Sequence, residues 1–330
     1  MKKLSPYLLI VFLLIIYTDL CHSAIKKVAQ TGLQFLKIDM SARAAAMGGA
    51  FGMVGFDANA MFYNPSGIGK MESNLDVFIT RTEWAADISY NAGALVKNLG
   101  TFGNLGFSFI SADYGDIIGT RVSSAGKGYI DTGLIEDVGA YAFGFAYARA
   151  MTDKFTVGGQ IKYAFQRLSS SLLSNNIIAS NRVSGLAYDF GTMFYPGFKS
   201  FRMGMNIKNF SPQFKYQNEA FELPLTFVIS VAMDVLDFLG EEHPNSLLIA
   251  VDAIHPRDYT ERIHLGGEYL YKNMFAIRAG YKLNYDEEGF CAGFGVKRSV
   301  SGVNIKLDYA YSDIGVFNTG NRISIGFTLE

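Results

Sequence analysis

The chain has 330 residues, 49% of them hydrophobic and 18% charged, with a formal net charge of −1 at neutral pH; a balance so close to zero offers no basic footprint for nucleic acid. Two cysteines exclude a disulfide-rich scaffold. Mean hydropathy is +0.16, yet charges or glycines interrupt every later apolar run, and 35 Gly, 19 Tyr and 27 Phe against 7 Pro is the mixture of strand formers and turn residues expected of an all-β protein.

The chain opens on Met1, Lys2 and Lys3, continues through an apolar run over residues 8–17, and passes into a short polar stretch over 18–23. That is the three-part build of a signal peptide, assigned to residues 1–23, with cleavage after Ser23 or Ala24. Its apolar core is about half of the roughly 20 residues a helix needs to span a bilayer, which argues against an anchor. Leu20 and Asp19 precede Cys21 where a lipoprotein wants a small residue. Loss of Lys2, Lys3 and Asp19 with the leader makes the mature chain −2, and leaves Cys291 without an intrachain partner, as a small strand residue.

Residues 24–73 show no strand alternation. Ser41 is placed to cap a short helix running to Met47, and Gly48 with Gly49 to end it. A turn-rich stretch follows, in which the Asn64 side chain bonds to the backbone two residues on and Pro65 fixes φ. Small apolar residues and ordered turn chemistry point to a folded insert and not to a loose tail.

From about residue 74 to 330 the sequence falls into segments of about ten residues with period-two alternation. Three begin near Leu75, Ile88 and Leu105. In the next, Tyr141, Phe143, Phe145 and Tyr147 interleave with Ala142, Gly144, Ala146 and Ala148, and a tight turn at 152–154 leads to Phe155, Val157, Ile161, Tyr163 and Phe165 alternating with Thr156, Gln160, Lys162 and Gln166. Others lie near 183–195, 201–209, 225–233, 247–254, 263–271, 275–283, 290–296, 303–311 and 322–329. That makes about fourteen, an even number. The expected fold is therefore a transmembrane antiparallel β-barrel with short periplasmic turns, longer external loops and both termini periplasmic. Loop lengths alternate as this requires, with long loops at 113–137 and 169–180; the link at 234–245 is the poorest fit.

Two readings of the apolar face compete: lipid, or a second sheet in a soluble sandwich. Charge on the opposite face, as in Arg262, His264 and Glu268 against Ile263, Leu265, Tyr269 and Tyr271, and aromatics near strand ends favour lipid.

The run Phe35-Leu36-Lys37-Ile38, Ser41-Ala42-Arg43-Ala44-Ala45-Ala46-Met47-Gly48-Gly49-Ala50-Phe51, then Asp57-Ala58-Asn59-Ala60 and Tyr63-Asn64-Pro65-Ser66-Gly67, resembles the plug of the FadL superfamily and, more closely, the PorV/PorQ family. The resemblance continues through Leu223-Pro224-Leu225, Asp252-Ala253-Ile254-His255-Pro256-Arg257, Gly266-Gly267-Glu268-Tyr269 and Arg278-Ala279-Gly280-Tyr281. It departs at Ser66, where the fatty-acid transporter pattern has Ala. It implies a fourteen-stranded barrel filled by an N-terminal hatch, with Arg43, Met47, Gly48, Gly49, Asp57, Asn64 and Pro65 as the plug motif. It also implies a non-catalytic accessory of type IX protein secretion, whose partners are a translocon barrel and secreted cargo. A FadL-like channel for hydrophobic small molecules is the alternative, and a barrel that only supports surface architecture is a third.

Lys162, Arg202, Asp252, Glu268, Arg278, Lys282, Lys306 and Asp308 all project to the polar side of their strands, and a paired network anchoring the plug is expected of them. Arg43 is the natural partner of Asp252, Glu268 or Asp308. Enzyme signatures are missing: His22, His243, His255 and His264 lack metal-ligand spacing, and the glycine runs lack the ending of a phosphate loop. No cofactor is expected.

Overall fold

The computed structural model describes residues 30–330, apart from 124–125, 127, 173–177, 217–218, 240–243 and 318. The leader assigned to residues 1–23 lies outside the described residues, as does the start of the 24–73 segment. Fourteen strands form one closed antiparallel barrel. They are β1 (Leu75–Glu83), β2 (Ser89–Asn98), β3 (Asn104–Asp113), β4 (Val138–Ala150), β5 (Phe155–Leu172), β6 (Ile178–Phe194) and β7 (Arg202–Phe210), followed by β8 (Thr226–Asp234), β9 (Ser246–Pro256), β10 (Arg262–Tyr271), β11 (Phe275–Leu283), β12 (Phe290–Val300), β13 (Val303–Asp313) and β14 (Thr319–Leu329). Each pairs with its neighbours in sequence, and β1 closes the ring on β14, from Leu75 opposite Leu329 to Glu83 opposite Asn321.

Strand alternation sorts the two faces as the sequence suggests. In β4, Phe145 is 55% exposed on the outside while Ala146 is fully buried within. Ile161, Phe190, Ile229, Ile277, Phe294 and Ile323 repeat the outward pattern around the ring. An uninterrupted apolar exterior of this extent is stable only against hydrocarbon, so lipid and not a second sheet covers it.

Links at one end of the barrel are short, for example residues 151–154, 272–274 and 301–302; the poorest-fitting link, at 234–245, begins with a 3₁₀ turn over Val235–Phe238 that Asp234 caps by accepting from Leu236 N. At the other end the 113–137 connection carries a two-stranded hairpin, Ile118–Val122 with Tyr129–Leu134. The expected loop at 169–180 is a correction: the β5–β6 ladder continues through Ser170 opposite Ser180 to Leu172 opposite Ile178. Within that ladder Ser169 stands at φ 58°, where the register shifts between Arg167 and Ser170. Such a bulge absorbs one unfavourable residue without ending the pairing.

Residues 30–73 touch the inward faces of strands around the ring. Ser41 accepts from Ala44 N and caps α1 (Ala42–Ala46), and Gly48 and Gly49 end it at φ 64° and 79°. Three 3₁₀ turns surround it: Gln34–Lys37, Ala58–Phe62 and Pro65–Lys70. The segment starts at the loop end, where Gly32 N donates to Glu222 O (3.0 Å) and Thr31 Oγ1 to Asp258 (2.7 Å). It finishes at the short-link end, where Asn98 and Asn104 donate to Met71 O. The barrel's own ends, Leu75 and Leu329, lie together at the short-link end, whereas residue 31 lies at the opposite mouth.

Candidate functional site: the segment, its seat and two cavities

The backbone of the segment approaches the wall where the wall has no side chains. Gly266 of β10 and Gly280 of β11 face each other in register. A Cβ on Gly280 would stand 2.1 Å from Met47 C and 2.2 Å from Gly48 N, and one on Gly266 would stand 2.5 Å from Met47 O. The Met47–Gly48 turn thus lies flat against bare backbone. Gly158 does the same for the Pro65–Ser66 backbone, and Gly191 leaves room for the Asn64 side chain.

Asn64 ties this second contact. Its Oδ1 accepts from Ser66 N (3.1 Å) and Ser66 Oγ (2.7 Å), while Nδ2 donates to Gly52 O (3.2 Å) and Thr192 O (3.3 Å). Loss of such a buried cap costs about 1 kcal/mol. Asn64→Ala is therefore expected to lower the stability of the segment by about that amount, measured as faster proteolysis within residues 30–73 of the folded barrel.

Charges hold the segment laterally. Arg43 Nη2 meets Glu268 Oε1 at 2.6 Å and its Nε donates to Oε2 at 2.8 Å. Glu268 also takes Arg278, which in turn reaches Asp308 at 2.7 Å. Lys306 binds Asp57 (2.8 Å) and Asp76 (3.4 Å), and Lys282 binds Asp39 (2.9 Å) and Glu288 (2.6 Å). Burial pushes the Asp39 and Asp57 carboxyls up. The opposing cations, Lys282 and Arg322 for one and Lys306 and Arg43 for the other, outweigh it and hold both well below the usual carboxylate range.

Three of the inward charges depart from the expected network of ion pairs anchoring the plug. Asp252 makes no ion pair among the described residues; its Oδ2 accepts the backbone N–H groups of Phe51 and Gly52, both at 3.0 Å, because the segment presents main-chain donors there. Arg202 donates to Met53 O and Ser200 O and lies over the Phe56 ring. Lys162 pairs within the wall, to Asp189 at 2.8 Å. Asp39, Asp76 and Glu288 were not singled out from sequence; strand parity alone places Asp76 inward, but nothing local marks the other two.

Cavities lie on both sides of the segment. One of about 70 Å³, toward the loop end, is lined by Asp39, Gly49, Lys208, Ile254, Arg262 and Tyr285 among others. The other, of about 230 Å³, lies toward the short links and is lined by Arg43, Leu270, Met274, Arg278, Val296 and Lys297 among others. Residues 39–52 stand between them.

No family model matches the chain, and no curated protein matches it. Solved structures do. The toluene transporter TbuX of Ralstonia pickettii aligns over 86% of this chain and 96% of its own, at 13% identity and a TM-score of 0.54. A FadL homologue of Pseudomonas aeruginosa aligns over 88% and 98%, at 9% identity and a TM-score of 0.54. The toluene transporter TodX of Pseudomonas putida aligns over 87% and 96%, at 12% identity and a TM-score of 0.52. At these identities the likeness concerns architecture, and the architecture of this chain is that of the FadL-type outer-membrane barrels.

Proposed function

We propose that the chain is an outer-membrane channel for small hydrophobic or amphiphilic molecules, exported by residues 1–23, with residues 24–73 as a plug within the 74–330 barrel. The short links and the barrel's own ends then face the periplasm. One observation carries the reading: cavities lie on the loop side and on the short-link side of a segment that is held in the barrel through hydrogen bonds and ion pairs. Such a barrier can yield without unfolding the barrel. Solved barrels of the same architecture include proteins described as toluene transporters, which supports cargo of low polarity. Met47, Gly48, Gly49 and Pro65 act in this reading as the shape that fits the seat, and Arg43, Asp57 and Asn64 as the latches. The test is uptake of a labelled monoaromatic hydrocarbon and a labelled fatty acid by proteoliposomes. Protein-dependent entry of either is the expected result, and rates equal to those of empty vesicles for both would overturn the proposal.

A second reading, an accessory of type IX secretion like PorV/PorQ that meets a translocon barrel and cargo, is favoured by the hairpin beyond the loop end. It exposes Ile118, Val122, Tyr129, Ile130 and Leu134 away from the barrel wall, an apolar surface suited to protein contact. Deleting the gene and finding secreted proteins missing from the medium would support it; an unchanged medium would sink it.

A further inference from the structure

We infer that the rim at the short-link end carries a binding site for the phosphate of a diacyl phospholipid, built from three neighbouring links. The inference goes beyond the channel reading and does not depend on it. The link at 234–245, long for its end of the barrel, is held in shape: Asp234 Oδ1 accepts from Leu236 N (2.9 Å) and Leu247 N (3.0 Å). It is fastened to the 195–201 link, where Ser200 Oγ accepts from Asp234 N (2.8 Å) and Ser200 N donates to Asp237 Oδ2 (3.0 Å). That link is fastened in turn to the 151–154 link, where Tyr195 N donates to Lys154 O (2.8 Å). The three make one shelf at the short-link end, between β4 and β9.

The shelf exposes what a surface in water avoids. Phe198 is 57%, Phe238 59% and Leu239 73% exposed, and the two rings pair at 6.1 Å. A cluster of this kind marks an interaction site. Its occupant is read from the adjoining wall, whose last outward residues, Phe155, Phe194 and Met203, are paired in register and lie against hydrocarbon. Phe198 follows Phe194 by four residues with no charge between them, so the lipid-covered surface runs on to the shelf. Two cations flank it there. Lys154 folds against Gly197, its Nζ 3.5 Å from where a Cβ would stand, and Lys199 follows Phe198 directly at φ 49°, a left-handed backbone that a lysine adopts at a cost. Both are exposed, and among the described residues neither has a carboxylate within ion-pair distance. Asp234 and Asp237 are occupied by main-chain donors, which leaves Asp153 as the one exposed acid of these links among the described residues. At the boundary of acyl chains and headgroups, rings sit among the chains and lysine ammonium groups reach the phosphates.

The reporter is Phe238→Trp in a Trp84→Phe background, which makes the indole at 238 the single one in the full mature chain. The protein is reconstituted in vesicles of phosphatidylglycerol and galactosyl diacylglycerol, a phosphate-free lipid, with one or the other brominated on its acyl chains. Brominated phosphatidylglycerol is expected to quench the reporter and to be preferred over the glycolipid about fivefold, the scale of one ammonium near an anionic headgroup. Lys154→Gln combined with Lys199→Gln is expected to bring that preference near unity, and Lys97→Gln, at the exposed short-link end of β2, to leave it unchanged. Phe294→Trp, on the outward face of β12, is expected to be quenched alike by both lipids. Each variant is first shown to be folded by its heat-modifiable mobility in SDS gels. The inference is overturned if neither lipid quenches the reporter at 238, if the glycolipid binds there as well as the phospholipid, or if the double lysine variant keeps the preference. An unquenched reporter in a chain that is dimeric in detergent would give the shelf to a second copy and overturn it equally. Solute uptake by the same vesicles is read separately. Entry of solute without phospholipid preference sinks only this site, whereas preference without entry sinks only the channel.

Discussion

Replacing Glu268 with Gln is expected to free the N-terminal segment from the wall while leaving the barrel intact. Glu268 is the single acid within ion-pair distance of Arg43 among the described residues, and it also shares Arg278 with Asp308. Arg278 keeps Asp308 after the change, but Arg43 loses the one carboxylate in ion-pair contact with it among the described residues and keeps only the longer-range attraction of Asp57. Breaking one side of a buried pair costs about 3–5 kcal/mol, most of it the penalty of the orphaned partner. The strand ladders are untouched, so the loss falls on residues 30–73 and not on the ring. The measurement is trypsin cleavage after Lys37 and Arg43 in detergent-folded protein, with passage of small ions through planar bilayers as the second readout. Arg43→Met combined with Glu268→Gln removes both charges, and a smaller loss in the double variant than in Glu268→Gln alone would assign the effect to the orphaned cation. A segment as protected in Glu268→Gln as in the native protein would refute the latch.

Gly280→Val is expected to have a comparable effect by a steric route. The added Cβ meets main-chain atoms of Met47 and Gly48, which cannot swing aside as a flexible side-chain tip would. Overpacking of this kind costs about 3 kcal/mol, and here the wall is held by ladders on both sides, so the turn of the segment must move. Gly267→Val, one position along β10 from the seat residue Gly266, supplies the control. Its Cβ finds nothing nearer than Leu248 O at 3.9 Å and Ala279 O at 4.0 Å. Faster proteolysis of residues 30–73 in the first variant and not in the second is the expected pair of results. Equal behaviour of the two would show that the glycine seat does not position the segment.

The strands were legible in the sequence because lipid outside and small or polar groups inside impose strict alternation over every crossing, and fourteen such segments correspond to the fourteen strands. The cap at Ser41 and the turn at Asn64 were legible too, since both are local. Tertiary contacts were not. Arg43 had three candidate acids, and only packing selects Glu268 and turns Asp252 toward main-chain donors. The 113–137 hairpin and the extension of β5 and β6 were read as loops, since Gly and Ser weaken the alternation that marks a strand.

The pairing of β1 with β14 sets an order of events for assembly. The two edges that seal the ring are separated by almost the whole strand-forming sequence, so their contacts carry the largest loop-closure entropy in the molecule and form late. Until the eleven residues of β14, Thr319–Leu329, arrive, β1 and β13 each present a row of unpaired main-chain groups, which hydrocarbon does not tolerate. Biogenesis of this protein therefore depends on something that shields two raw edges until the C-terminal strand has docked.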